Sequence, residues 1–237
     1  MEILKFDIYA NLAHFKDITS NQIRNTYKHI HKCAILGILG SVIGIEKTHT
    51  RMTEDRIPNC YKELEDIKVA VVPHEDLFSE KTITITETVG FLHLGTNFVS
   101  KTKVLVHPKW TIYVFGNGNK YYDKIKQNLL NQDFYYIPYL GVNFCTASIN
   151  NVEVLEGEEI KKVSHIDSIF DANIKHYEDE EEEEERISSG LMFLPIGYNH
   201  ETKRYNTKEM IYTNDFIDKN QEIENIIKVG ESNLYMI

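Results

Sequence analysis

Lys32-Cys-Ala-Ile-Leu-Gly-Ile-Leu-Gly-Ser-Val-Ile-Gly-Ile45 is the stretch on which the fold turns. From Cys33 to Ile45 it carries 13 uncharged residues, too few for a transmembrane helix. Ala34, Gly37, Gly40, Ser41 and Gly44 recur at intervals of three and four, which lines them along one side of a helix. A glycine inside a helix costs about 1 kcal/mol relative to alanine, so three of them need compensation. Close approach to a sheet, another helix or a ligand supplies it, and Gly37, Gly40 and Gly44 are read as packing positions. Lying within a helix, they form no phosphate-cradling loop.

Upstream, Tyr27-Lys-His-Ile-His-Lys32 places basic and aromatic side chains just before that helix. A helix N-terminus suits a phosphate, and basic residues interleaved with aromatics suit single-stranded nucleic acid. An ordinary loop with exposed lysines fits the same residues, and Lys101 and Lys103 carry the same pair of readings. His29-x-His31 resembles a metal pair, but no third ligand lies nearby in sequence, and no metal or cofactor is expected. GxxxxGK[ST], GxGxxG after a strand, HExxH and GxSxG are all missing, so no motif establishes an enzyme.

Periodicity fills in the rest. Ile3 to Tyr9 alternates, with Leu4, Phe6 and Ile8 on one face, as a half-buried strand does. A short helix capped by Asn59, strands over 69–72, 82–89 and 103–115, a helix over 121–130 and a strand over 146–155 follow. Thr82 to Val106 reads as a projecting hairpin turning near Gly95-Thr-Asn97, and Pro138-Tyr-Leu-Gly141 as a loop. Strand-like segments recur at 191–196, 210–216 and 226–237. Two helices separating groups of strands indicate an α+β fold of ferredoxin-like kind with an inserted hairpin.

Over 237 residues the formal net charge is −10, with 42% hydrophobic and 11% aromatic residues, enough for a sizeable core. The charge is concentrated. Glu178 to Glu185 is an unbroken acidic run of eight, and outside it 28 acidic residues face 26 basic ones. Such a run is a solvated, self-repelling segment and does not describe the folded surface. Met1 to Met52 holds seven basic residues against four acidic, and Lys101 to Lys126 six lysines against Asp123 alone. A polyanion partner therefore remains compatible with a pI near 5.5. Three dispersed cysteines without a CxxC pair point to reduced thiols, and the N-terminus lacks a basic leader, so a cytoplasmic location away from membranes is expected.

The opening strand with Ala13-His-Phe-Lys16, followed by the 32–45 stretch, resembles the N-terminus of one CRISPR-associated family. That family is the RAMP-type subunit holding the 5′ handle of the guide RNA (crRNA) in type I Cascade complexes. His107-Pro-Lys-Trp-Thr-Ile-Tyr113 and Pro138-Tyr-Leu-Gly-Val-Asn-Phe-Cys-Thr-Ala147 resemble its later motifs in the same order, and the acidic insertion is closest to subtype I-B members. The resemblance, carried by roughly the first 155 residues, implies an RRM-like RAMP palm over 1–157 with a thumb hairpin at about 74–103. The charge run and the strand-like segments beyond it are read as an acidic linker over 158–189 and a β-rich extension over 190–237. It implies crRNA binding through Arg24, Lys28, His29, Lys32, Lys101 and Lys103, with the glycines letting the helix pack on the sheet. Partners implied are the crRNA 5′ handle, the backbone RAMP subunit, the large subunit of Cascade and, through the complex, target DNA. A subtype I-C branch cuts precursor RNA without metal using tyrosine, lysine and histidine. Here Gly118-Asn-Lys120-Tyr121 has tyrosine in place of the histidine, and Gly44-Ile45 lacks the first tyrosine. A non-catalytic binding subunit is therefore expected. A metal-independent repeat endoribonuclease using His29, His31 or Lys120 and an interaction scaffold without RNA contact are the alternatives.

Overall fold

The computed structural model describes residues 1–18, 23–45, 58–88, 97–116, 118–178, 187–218 and 220–237. Its first part runs β1 (Glu2–Tyr9), β2 (Leu12–Ala13), α1 (Lys32–Ile43), α2 (Asn59–Glu63), β3 (Lys68–Pro73), β4 (Glu80–Thr88), β5 (Asn97–Val106), β6 (Lys109–Phe115), α3 (Tyr122–Leu130) and β7 (Ser148–Ile160). Then come the short β8 (Phe170–Asp171) and β9 (His176–Tyr177), the hairpin β10 (Met192–Asn199) and β11 (Arg204–Ile211), β12 (Phe216–Ile217), and the closing pair β13 (Ile226–Val229) and β14 (Ser232–Tyr235).

Alternation in β1 sends Leu4, Phe6 and Ile8 to one face, where they share a core with Ile112 and Val114 of β6, Leu39 and Val42 of α1, and Ile125 and Leu129 of α3. Each such side chain contributes roughly 1.5–3 kcal/mol on burial. The six-stranded sheet is ordered β14-β13-β7-β1-β6-β3, with every recorded pairing antiparallel. Phe6 stands opposite Ile112 and Leu4 opposite Val154.

The second face of this sheet is also filled. Ile3, Ala70 and Tyr113 pack with Ile227, Val229, Leu234 and Met236, all contributed by the chain's last elements except the first three. Beyond β14, Ile237 exchanges both backbone hydrogen bonds with Val69 of β3, at 2.8 and 3.1 Å. The two outer strands are thereby tied together, and the sheet curls over its own second face.

Residues 158–189 therefore do not act as one linker. The boundary placed at 157 falls within β7, and Val163, Ile166, Ile169, Phe170 and Ile174 are buried in the main core. The acidic run dominates the composition of this stretch and hides the apolar residues before it. All of the run but Glu178 lies outside the described residues. The terminal pair β13–β14 joins the main sheet beside β7.

The glycines of α1 each do something different, and the expectation that they pack the helix on the sheet is corrected. A Cβ on Gly40 would meet Cys60 Cβ at 2.7 Å, so this position admits α2. Gly44 is the left-handed C-cap at φ 76°, and a Cβ there would strike the Tyr135 ring at 2.6 Å. Gly37 has open space around its Cβ direction. Contact with the core falls to the opposite, β-branched and leucine-rich side of the helix. Asn59 is the first residue of α2 rather than its cap, which is Pro58. Among the described residues no helix is long and apolar enough to cross a membrane.

Candidate nucleic-acid interface

β4 and β5 pair from Glu80 opposite Leu105 to Thr88 opposite Asn97, forming a hairpin whose connection, 89–96, lies outside the described residues. At its base the segment after β2 folds alongside β5. The Arg24 N–H donates to the Lys101 carbonyl, and the Lys103 N–H to the Arg24 carbonyl, each at 3.0 Å. This short parallel ladder is what gathers Arg24, Lys101 and Lys103 from distant positions in the chain.

Alternation along β5 divides the cations between two faces. On one, Lys28 pairs with Glu80, whose second oxygen lies 3.5 Å from Lys103 Nζ. Burial works to raise the Glu80 carboxyl, but the two ammonium groups outweigh it and hold its pKa below the usual value. Lys101 is exposed beside them.

On the other face Thr102 is buried, its hydroxyl without a hydrogen-bond partner, and it lines a cleft of about 630 Å³. Lys16 and Arg24 supply the charge there, His14, Asn143 and Phe144 complete much of the wall, and among the described residues the lining includes no carboxylate. His14 Nδ1 lies 2.8 Å from the Lys103 carbonyl. Burial, and then the nearby Arg24 and Lys16, lower its pKa. Phe144 leaves half its surface exposed. The loop bearing it is fixed by Gly141: at φ 84°, a Cβ there would sit 1.8 Å from the His14 carbonyl oxygen.

Two of the residues read as RNA contacts are not in this group. His29 is fully buried: Trp110 Nε1–H donates to its Nδ1 at 3.2 Å, and Nε2 meets the Asp76 carbonyl at 2.8 Å. Its pKa is lowered to about 4, chiefly by burial, and it cannot touch a ligand. Lys32 opens α1, half-buried, and its charged neighbours are Glu65, Asp66 and Lys68, away from the hairpin base. The helix N-terminus is also occupied, because His31 caps it by accepting the Ala34 N–H at 3.2 Å. His31 is buried, its pKa lowered to about 3 by desolvation.

Sequence reasoning missed Lys16, Thr102 and the Val142–Phe144 loop. Only the tertiary bridges of Lys16 to Thr26 and of Arg24 to Thr102 in β5 reveal the first two, whereas the glycine of Pro138-Tyr-Leu-Gly141 was a readable sign of close backbone approach. Lys120, a candidate for RNA cleavage, is exposed and paired with Glu63 at 2.5 Å, a hydrogen bond that raises its pKa.

A family model described as CRISPR-associated protein (Cas_Cas5) matches residues 3–221. Among solved structures, a chain of a CRISPR RNA-guided surveillance complex is 15% identical and superposes with a TM-score of 0.53 over 93% of this chain and 91% of its own. A CRISPR protein from Archaeoglobus fulgidus is 10% identical, with a TM-score of 0.52 over 99% of this chain and 98% of its own. No curated protein matches. These likenesses bear out a mixed α/β fold made mostly of sheet.

Proposed function

The chain belongs to the CRISPR-associated Cas5 family, and on that premise we propose that it is a crRNA-binding subunit of a CRISPR effector complex that holds RNA without cutting it. The observation that carries this reading is the cleft at the hairpin base, which Lys16 and Arg24 line beside the exposed ring of Phe144, with no carboxylate among its described lining residues. Cations tracking a backbone, with an aromatic surface for bases, suit a single strand. The order β7-β1-β6-β3 with α1 and α3 between them is the ferredoxin-like palm, and β4–β5 the thumb. Since the second sheet face is filled by the chain's own residues, the RNA path runs along the thumb base instead.

On this reading the RNA is the repeat-derived 5′ handle, and the complex a Cascade of type I, subtype I-B. The backbone RAMP subunit and the large subunit are the neighbours, and target DNA is met through the assembly. Burial of His29 and His31 in neutral form, with Lys120 held protonated by Glu63, supports binding over acid–base cleavage.

A salt titration of binding to a fluorescent single-stranded repeat RNA tests the assignment. At about 0.7 in log–log slope per phosphate contact, the Lys16→Glu/Arg24→Glu double variant should lower the slope by about 1.4. Lys32→Glu should leave it unchanged. Equal losses for both variants, or none, would remove the cleft from the RNA path. RNA cut in the presence of chelator would favour the endoribonuclease alternative.

A further inference from the structure

Among the described residues that line the cleft at the hairpin base, His14 is the one whose side chain ordinarily titrates near neutral pH. It is 4% exposed. A carbonyl oxygen only accepts, so Nδ1 donates its proton to Lys103 at 2.8 Å and the neutral ring keeps its lone pair on Nε2. A second proton joins Nε2 without breaking that bond, so the ring is held in place in either charge state.

Its surroundings keep that proton off. Lys16 lies in its own segment, and Arg24 in the segment bridged to β5. β5 meets the ring through the Lys103 carbonyl, while the Lys103 ammonium lies beside Glu80. β4 brings Ile85 to the cleft and the loop brings Val142, Asn143 and Phe144, none of which titrates. Burial, and then the two cations, lower the His14 pKa. An anion reverses the second effect, because a phosphate between Lys16 and Arg24 cancels their repulsion and attracts an imidazolium. Thr102 shows that such a group reaches this depth. It is 1% exposed, lines the same cleft, and its hydroxyl has no hydrogen-bond partner among the described residues. A buried hydroxyl left unmatched is costly, and a phosphate oxygen would accept from it.

We propose, resting on the RNA-binding reading above, that phosphate entry into this cleft is coupled to uptake of one proton at His14 Nε2, so that the hold on RNA tightens as the pH falls. The proton comes from solvent, one N–H bond forms, and no other bond changes. Bound protein has the higher His14 pKa, so affinity rises on acidification between the bound and free values, by at most about ten-fold per pH unit. The free value, which closes that window, lies below the usual 6.5.

The test is calorimetry of a repeat-derived single-stranded RNA binding to the full chain in two buffers of different ionisation enthalpy, with affinity followed from pH 7.5 to 5.5. Wild type should take up a fraction of a proton on binding, and its Kd should fall by about ten-fold over that range. Its salt slope should also steepen by about 0.7 at the acid end, the mark of one added phosphate contact. His14→Asn offers the Lys103 carbonyl a donor but does not titrate, so proton uptake and the pH dependence should both vanish. If His14→Asn does not fold, His14→Gln takes its place with the same expected loss. Salt-dependent RNA binding without proton uptake, or a pH dependence that survives in the variant, overturns the coupling and leaves the RNA-binding reading standing. Absence of any salt-dependent RNA binding by wild type overturns both.

Discussion

At the scale of single residues, the histidines before α1 show how burial reassigns a motif. His29 and His31 look like exposed ligands in a polar stretch, yet both are neutral core groups with pKa values of about 4 and 3. In the unfolded chain a histidine titrates near 6.5, so below that pH the unfolded state binds protons that the folded state refuses. The stability these residues contribute is complete above pH 6.5 and falls as the pH drops towards their folded values, by ~1.4 kcal/mol per pH unit for each. His31→Asn keeps a capping side chain but does not titrate. Urea denaturation between pH 6.5 and 5 should therefore show its stability slope reduced by ~1.4 kcal/mol per pH unit, and an unchanged slope would mean that His31 is accessible to protons in the fold. Glu80 offers a second residue-level test. It shares its carboxylate between Lys28 and Lys103, and removing an exposed pair changes stability by at most about 1 kcal/mol. If RNA phosphates compete with that carboxylate, Glu80→Gln tightens RNA binding and steepens its salt dependence. Weaker binding would mean that Glu80 positions the lysines instead.

At the scale of elements, α1 was legible in outline and misread in detail. The three- and four-residue spacing of small residues predicts a helix, and the helix spans Lys32–Ile43. What spacing cannot convey is which neighbour each small residue meets, because that depends on α2, Tyr135 and an open cavity contributed from elsewhere in the chain. Two alanine substitutions three residues apart should then differ in sign. Gly37→Ala adds a methyl group into open space and should stabilise by up to about 1 kcal/mol. Gly40→Ala forces a Cβ against Cys60 and should destabilise by about 1–3 kcal/mol. Thermal melts of the two variants check the pair, and matching shifts would contradict the assignment. The hairpin strands were readable from alternation over 82–106, whereas the ladder joining Arg24 to β5 was not, since residues 16–31 carry no periodic pattern.

For the whole molecule, the last twelve residues close the structure. Ile226 to Ile237 pair with β7 on one side and reach Val69 of β3 on the other, burying Leu234 and Met236. Read from the sequence, this tail is an appendage of strands, because nothing local reveals that it seals a sheet begun more than 150 residues earlier. Deleting residues 226–237 should abolish cooperative unfolding, as seen by calorimetry, by stripping the cover from Ile3, Ala70 and Tyr113. On the proposed function, with the sheet face closed, RNA binding would fall to the cleft at the hairpin base. The most direct measurement is to purify the tagged full-length chain from its native host and sequence the ends of the RNA that accompanies it. A handle-binding subunit should carry RNAs sharing one repeat-derived 5′ end, lost when Lys16 and Arg24 are reversed and kept when Lys32 is reversed. Random fragments, or no RNA, would contradict that reading.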